Sequence, residues 1–96
     1  MTSLDVSKNS ALEQLDCHTN QLTDLNVSKS TALKGLNCSE NSLASLDVSK
    51  NEKLKQLTCA ENQLTSLDLS PTVVSLLYAD GNQIDINVET PPAPLI

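Results

Sequence analysis

Four sets of residues carry whatever chemistry this sequence could perform. Cys17, Cys38 and Cys59 recur every 21 residues, and three thiols brought together could bind a soft metal or exchange disulfides. Asp5, Asn26, Asp47 and Asp68 recur with the same period, a ladder of oxygen ligands of the kind that suggests calcium. His18, the sole histidine, stands two residues after Asp16, and Ser39 lies one period beyond His18. On paper these supply a base, an orienting carboxylate and a hydroxyl nucleophile. Asn20, Asn41, Asn62 and Asn82 form a fourth column, polar yet set between apolar ones.

Each set has a structural reading that needs no catalysis. The cysteines alternate with leucines in a pattern that turns both inward, and Ala79 replaces the thiol in the last copy. Buried free thiols are therefore expected. A disulfide is the alternative, since stacked Cα atoms lie within bridging range while their Cβ vectors run parallel. In the acidic column only Asp47 and Asp68 are neighbouring acids, and their repulsion at about 5 Å in water is near 0.8 kcal/mol. Lys8, Lys29 and Lys50 form an adjacent column that offsets it, and the glycine turns of calcium repeats are missing, so no metal is expected. Around His18 nothing builds an oxyanion hole, and no enzyme activity is expected. An inward asparagine can bond the backbone of its own turn and of its neighbour, which makes the asparagine column structural, as is the cysteine column.

Composition closes further routes. The chain has 96 residues and a net charge of −6, with no arginine and Tyr78 as its only aromatic residue. That balance repels phosphate backbones and lacks stacking platforms, so no nucleic-acid partner is expected. Two glycines, Gly35 and Gly81, cannot form a phosphate-cradling loop, and no cofactor is expected. No apolar run approaches the roughly 18 residues of a membrane span, nor is there a signal-peptide pattern at the start, so membrane insertion is not expected either.

The elements that position these columns follow from the period. Leu12, Leu33 and Leu54 share a column, as do Leu15, Leu36 and Leu57, then Leu22, Leu43 and Leu64, then Leu25, Leu46 and Leu67, and finally Val27, Val48 and Leu69. One unit reads Leu-x-x-Leu-x-Cys-x-x-Asn-x-Leu-x-x-Leu-x-Val, followed by five mostly polar residues. A half unit precedes Leu12, three full units follow, and after the loss of one residue a degenerate last unit runs through Val74, Leu77, Ala79, Asn82 and Ile84. Within a unit, Leu12-x-x-Leu15-x-Cys17 is echoed ten residues later by Leu22-x-x-Leu25-x-Val27. Alternation in both halves predicts two short strands per turn, and stacked turns then give two short parallel β-sheets with little or no helix. One turn alone buries too little to meet its ordering cost, so the copies must stack. Residues 1–88 form this solenoid, and 89–96, with three prolines, form a tail that is either a linker or a strap over the last turn.

The Leu-x-x-Leu-x-Cys-x-x-Asn-x-Leu unit resembles the leucine-rich repeat in its short bacterial form, of the kind found in internalin-like surface proteins. The resemblance covers about Leu4 to Val88. It implies a leucine-rich-repeat solenoid that binds protein, without catalysis or cofactor, and a parent at the surface of a bacterium or secreted from it.

The outward positions differ between the two halves of the unit. On the second, Ser45-x-Asp47-x-Ser49 is repeated by Ser66-x-Asp68-x-Ser70. On the first, the triplets run Gln14, Asp16, His18; Gly35, Asn37, Ser39; Gln56, Thr58, Ala60; and Leu76, Tyr78, Asp80. A recognition surface must present different groups at different places, so the first face is expected to bind. Leu76 and Tyr78 form an apolar corner as anchors, and Asp16, His18, Asn37, Gln56, Thr58 and Asp80 are polar contacts. The alternative is a structural spacer with no specific ligand. Open coil ends also make end-to-end self-association an expectation.

Overall fold

In a computed structural model that describes residue 2 and residues 4–83, the 21-residue units wind as stacked turns of a solenoid. Four three-residue strands are formed, β1 (Gln14–Asp16), β2 (Gly35–Asn37), β3 (Gln56–Thr58) and β4 (Leu76–Tyr78). They make one parallel sheet in chain order. Leu15 pairs with Leu36, Leu36 with Leu57 and Leu57 with Leu77, so one repeat displaces the chain by one strand with no slip. The ladder continues past the strands, where Cys17 N–H donates to Asn37 O at 2.8 Å and Thr19 N–H to Ser39 O at 2.9 Å. No helix occurs among the described residues, hence none that could cross a membrane. Polar residues in every connection leave no room for one.

The leucine, valine and cysteine columns meet in a single core that runs the length of the coil. Leu22, Leu43 and Leu64 are fully buried, as are Leu33 and Leu54. The first turn is the exception. Leu4, Leu12 and Leu15 are only partly buried against the core.

The second sheet does not form as strands. Among the described residues the echo Leu25-x-Val27 and its copies carry no strand, and Asp5 with Asn26 is the one isolated bridge there. Asp5, Asn26, Asp47 and Asp68 each accept a hydrogen bond from the backbone N–H two residues on, in Ser7, Ser28, Ser49 and Ser70, at 2.8 to 2.9 Å. Longer bonds of the same kind, at 3.2 to 3.3 Å, follow Asp16 and Asn37 on the strand side. The chain then turns at once, with Ser30 N–H donating to Val27 O and Asn51 N–H to Val48 O, both at 3.0 Å.

Where one residue is missing in the last unit, Thr72 makes good the turn. Its hydroxyl donates to Leu69 O at 2.7 Å and accepts from Val74 N–H at 3.3 Å. Ile84, the end of the solenoid at residue 88 and the 89–96 tail lie outside the described residues.

Candidate functional site

The strand face is built by the side chains that point away from the core on β1 to β4. Register places Gln14, Gly35, Gln56 and Leu76 in one row, and Asp16, Asn37, Thr58 and Tyr78 in the next. The ladder bonds beyond the strands extend this to a third row of His18, Ser39, Ala60 and Asp80. All eight residues expected to bind therefore lie on one continuous surface. Asp16, His18, Gln56, Tyr78 and Asp80 are exposed, while Asn37 and Thr58 are half-buried. Leu76 is half-buried too, so the expected apolar corner is reduced on that side; Tyr78 at 37% exposure and Val73 at 51% are the exposed large apolar side chains of the described residues. Val73 was not among the expected anchors, since it stands in the irregular connection where the period breaks.

Gly35 gives the face its floor. A Cβ there would collide with the Gln14 side-chain amide, which folds across the glycine and leaves it buried. A shallow groove results, lined by Gln14, Asp16, Asn37, Gln56 and Thr58.

His18 and Asp16 meet through His18 Nδ1 and Asp16 Oδ1, both exposed to solvent. The hydrogen bond from His18 holds the Asp16 carboxyl below the usual carboxylate range, and the same bond raises the imidazole, with the Asp16 and Glu40 charges adding to it. Ser39 does not join them. Its hydroxyl oxygen is buried and has no hydrogen-bond partner among the described residues. The candidate dyad of Ser39 and His18 is thus not assembled.

The polar columns tie turn to turn. Asn41 Nδ2 donates to Cys17 O of the preceding turn at 3.1 Å and to Cys38 O of its own at 3.0 Å, while its Oδ1 accepts Leu22 N–H at 3.0 Å. Asn62 repeats the set one turn on, with Cys38 O, Cys59 O and Leu43 N–H. Asn82 continues it and Asn20 begins it, bonded to Cys17 O. Immediately before each asparagine the chain takes a left-handed conformation, at Thr19, Glu40, Glu61 and Gly81.

A second buried polar column was missed. Ser30 and Asn51 are fully buried, and Asn51 Nδ2 donates to Val27 O at 3.0 Å and Ser30 O at 2.9 Å. Asn9, Ser30, Asn51 and Thr72 share the 21-residue period, and that was the available signal. Mixed residue types at this column hid it.

Cys17, Cys38 and Cys59 are buried free thiols. Burial raises all three, Cys59 to about 12 and Cys38 further, with the neighbouring thiols adding at Cys38. Such groups stay protonated and are poor ligands or nucleophiles. Among the described residues no three His, Cys, Asp or Glu side chains come together as a metal site.

No family model and no curated protein matches the chain. Two solved structures do. A functional domain of InlJ from Listeria monocytogenes, which includes a cysteine ladder, superposes with a TM-score of 0.84 at 38% identity over 88% of this chain and 19% of that one. An internalin from the same organism, InlF, superposes with a TM-score of 0.68 at 23% identity over 91% of this chain and 34% of that one, a likeness of fold. The chain therefore spans well under half the length of either.

Proposed function

From the premise that the chain is a leucine-rich-repeat solenoid of the bacterial internalin kind, we propose that it is a protein-binding module whose strand face is the recognition surface. One observation carries this. The outward triplets on the parallel sheet and its continuation differ from turn to turn, while those of the opposite half repeat Ser-x-Asp-x-Ser at 45–49 and 66–70, on loops held by their own side chains. A rigid ladder fixes varied groups on a grid, which lowers the ordering cost of binding. The module is read as non-enzymatic, as part of a longer protein displayed on or released from a bacterium, with residues 1–88 as the repeat unit.

The test is selection of binders from a displayed protein library, followed by mapping of backbone amide shifts. Changes confined to residues 14–18, 35–39, 56–60 and 76–80 are expected. Changes confined to 45–49 and 66–70 would overturn the assignment. Failure to obtain any saturable binder, with Tyr78→Ala and Asp16→Ala neutral in the parent, would favour the spacer reading.

A further inference from the structure

Three outward positions change character in the last described turn. In the register of the sheet Leu76 follows Gln14, Gly35 and Gln56, and Tyr78 follows Asp16, Asn37 and Thr58. The column of Leu12, Leu33, Leu54 and Val74 likewise places Val73 after Ala11, Ala32 and Lys53. A large apolar side chain thus stands at each position where every earlier turn has a polar or small one. Val73 and Tyr78 are also the exposed large apolar residues of the described chain, and Leu76 between them is half-buried. Scattered singly such residues need no explanation, but three within residues 73–78 mark one place on the coil.

The chain that follows supplies a segment of matching chemistry. Ile86-Asn87-Val88 matches Leu25-Asn26-Val27, the end of an earlier unit. At each earlier corner the residue three beyond the closing Val or Leu makes the turn: Asn9 N–H donates to Val6 O, Ser30 to Val27 O, Asn51 to Val48 O and Thr72 to Leu69 O, at 2.9 to 3.0 Å. Counted from Val88 that residue is Pro91, which has no N–H to give. Pro92 and Pro94 remove two more donors from any ladder with the preceding turn. A further regular turn is therefore blocked. What the composition favours instead is an extended polyproline segment, stiff enough that little ordering cost attends its docking. Residues 90–96 are also uncharged and end in Leu95-Ile96, so they suit an apolar seat. Their position along the chain suits it as well. The circuit from Leu54 to Val74 takes 20 residues, and a further circuit from Val73 and Leu76 arrives at Ala93 and Ile96.

We propose that residues 91–96 lie as an extended strap along the last described turn, with Pro94 over Val73 and Leu95 and Ile96 over Leu76 and Tyr78. The two apolar anchors of the strand face then serve the chain itself, and a ligand that uses Tyr78 must first displace the strap. Nuclear Overhauser spectra of the full chain test this, because a single tyrosine makes its ring signals unambiguous. Contacts from the Tyr78 ring to the Leu95 or Ile96 methyl groups, unchanged on dilution, are expected. Leu95→Asp with Ile96→Asp should abolish them and shift the amides of Leu76 to Tyr78 while leaving those of Gln14 to Asp16 in place. Contacts found only between differently labelled chains in a mixed sample would make a second copy the occupant and overturn the strap. A Tyr78 ring without contacts to residues 91–96 would overturn it too, and is the result expected if a foreign protein covers the patch. Neither result bears on whether library binders map to the strand face.

Discussion

Asn41 shows how much a single side chain can hold in this coil. It accepts from Leu22 N–H and donates to the carbonyls of Cys17 and Cys38, which it shares with Asn20 and Asn62, so one side chain bonds two turns. Asn41→Ala leaves Leu22 N–H unpaired and takes one donor from each carbonyl, and a loss of about 1 to 3 kcal/mol is expected in denaturant unfolding. An Asn20→Ala variant, made at the half-buried end of the same column, should lose less. At His18 the pair with Asp16 sets a pH dependence of known sign. The imidazole is raised in the folded chain, so its contribution is complete below the ordinary histidine pKa and is lost as pH rises through the folded value. The Asp16 carboxyl is lowered, so its contribution is present above the ordinary aspartate pKa and is lost as pH falls through the folded value. An NMR titration should place His18 above 6.5, and Asp16→Asn should bring it back toward that figure. No movement on substitution would show that the two side chains do not meet in solution.

The elements of this fold are corners as much as strands. At each asparagine corner the preceding residue is left-handed, and three of the four turns place Thr19, Glu40 and Glu61 there at φ near 57°. Only the last uses glycine, Gly81 at φ 75°. Gly81→Ala adds a Cβ in a disfavoured region, 2.5 Å from the Glu61 carboxyl, and should destabilise the last turn by about 1 to 2 kcal/mol. Combining it with Glu61→Ala should recover the steric part only, which thermal unfolding of the double variant would show. The sheet through Leu15, Leu36, Leu57 and Leu77 was legible because alternation and period agree at every copy. The second sheet was over-read from equally regular spacing, since alternation reports which side chains face inward and not whether backbone donors are free. The Asp-x-Ser turns were visible in the sequence as the repeated Asp47 and Ser49 or Asp68 and Ser70. The positions of the face residues were likewise readable from period and alternation. The relief of the groove was not, because it depends on the way Gln14 folds over Gly35.

At the scale of the whole molecule, stability is distributed by position along the stack, since each turn contacts only its neighbours. Leu15, Leu36, Leu57 and Leu77 occupy one column in register, yet Leu57 is fully buried while Leu15 is only partly so. The same substitution at two copies therefore measures what a covering turn contributes. Leu57→Ala opens a cavity flanked by turns on both sides and should lose about 3 to 4 kcal/mol. Leu15→Ala removes a side chain that one side already exposes, and about 1 to 2 kcal/mol is expected. The two should also differ in kind. Loss at Leu57 cuts the contact between inner turns, so the halves of the coil become less tightly coupled and unfolding should broaden. Loss at Leu15 affects an end that can fray locally, so the main transition should keep its denaturant slope. Hydrogen exchange supplies the independent check: amides of Cys38 and Cys59, which donate to Thr58 O and Tyr78 O in the interior ladder, should exchange more slowly than that of Asn9 in the first turn. Equal losses at Leu15 and Leu57 would mean that the first turn is as well covered in solution as the inner ones.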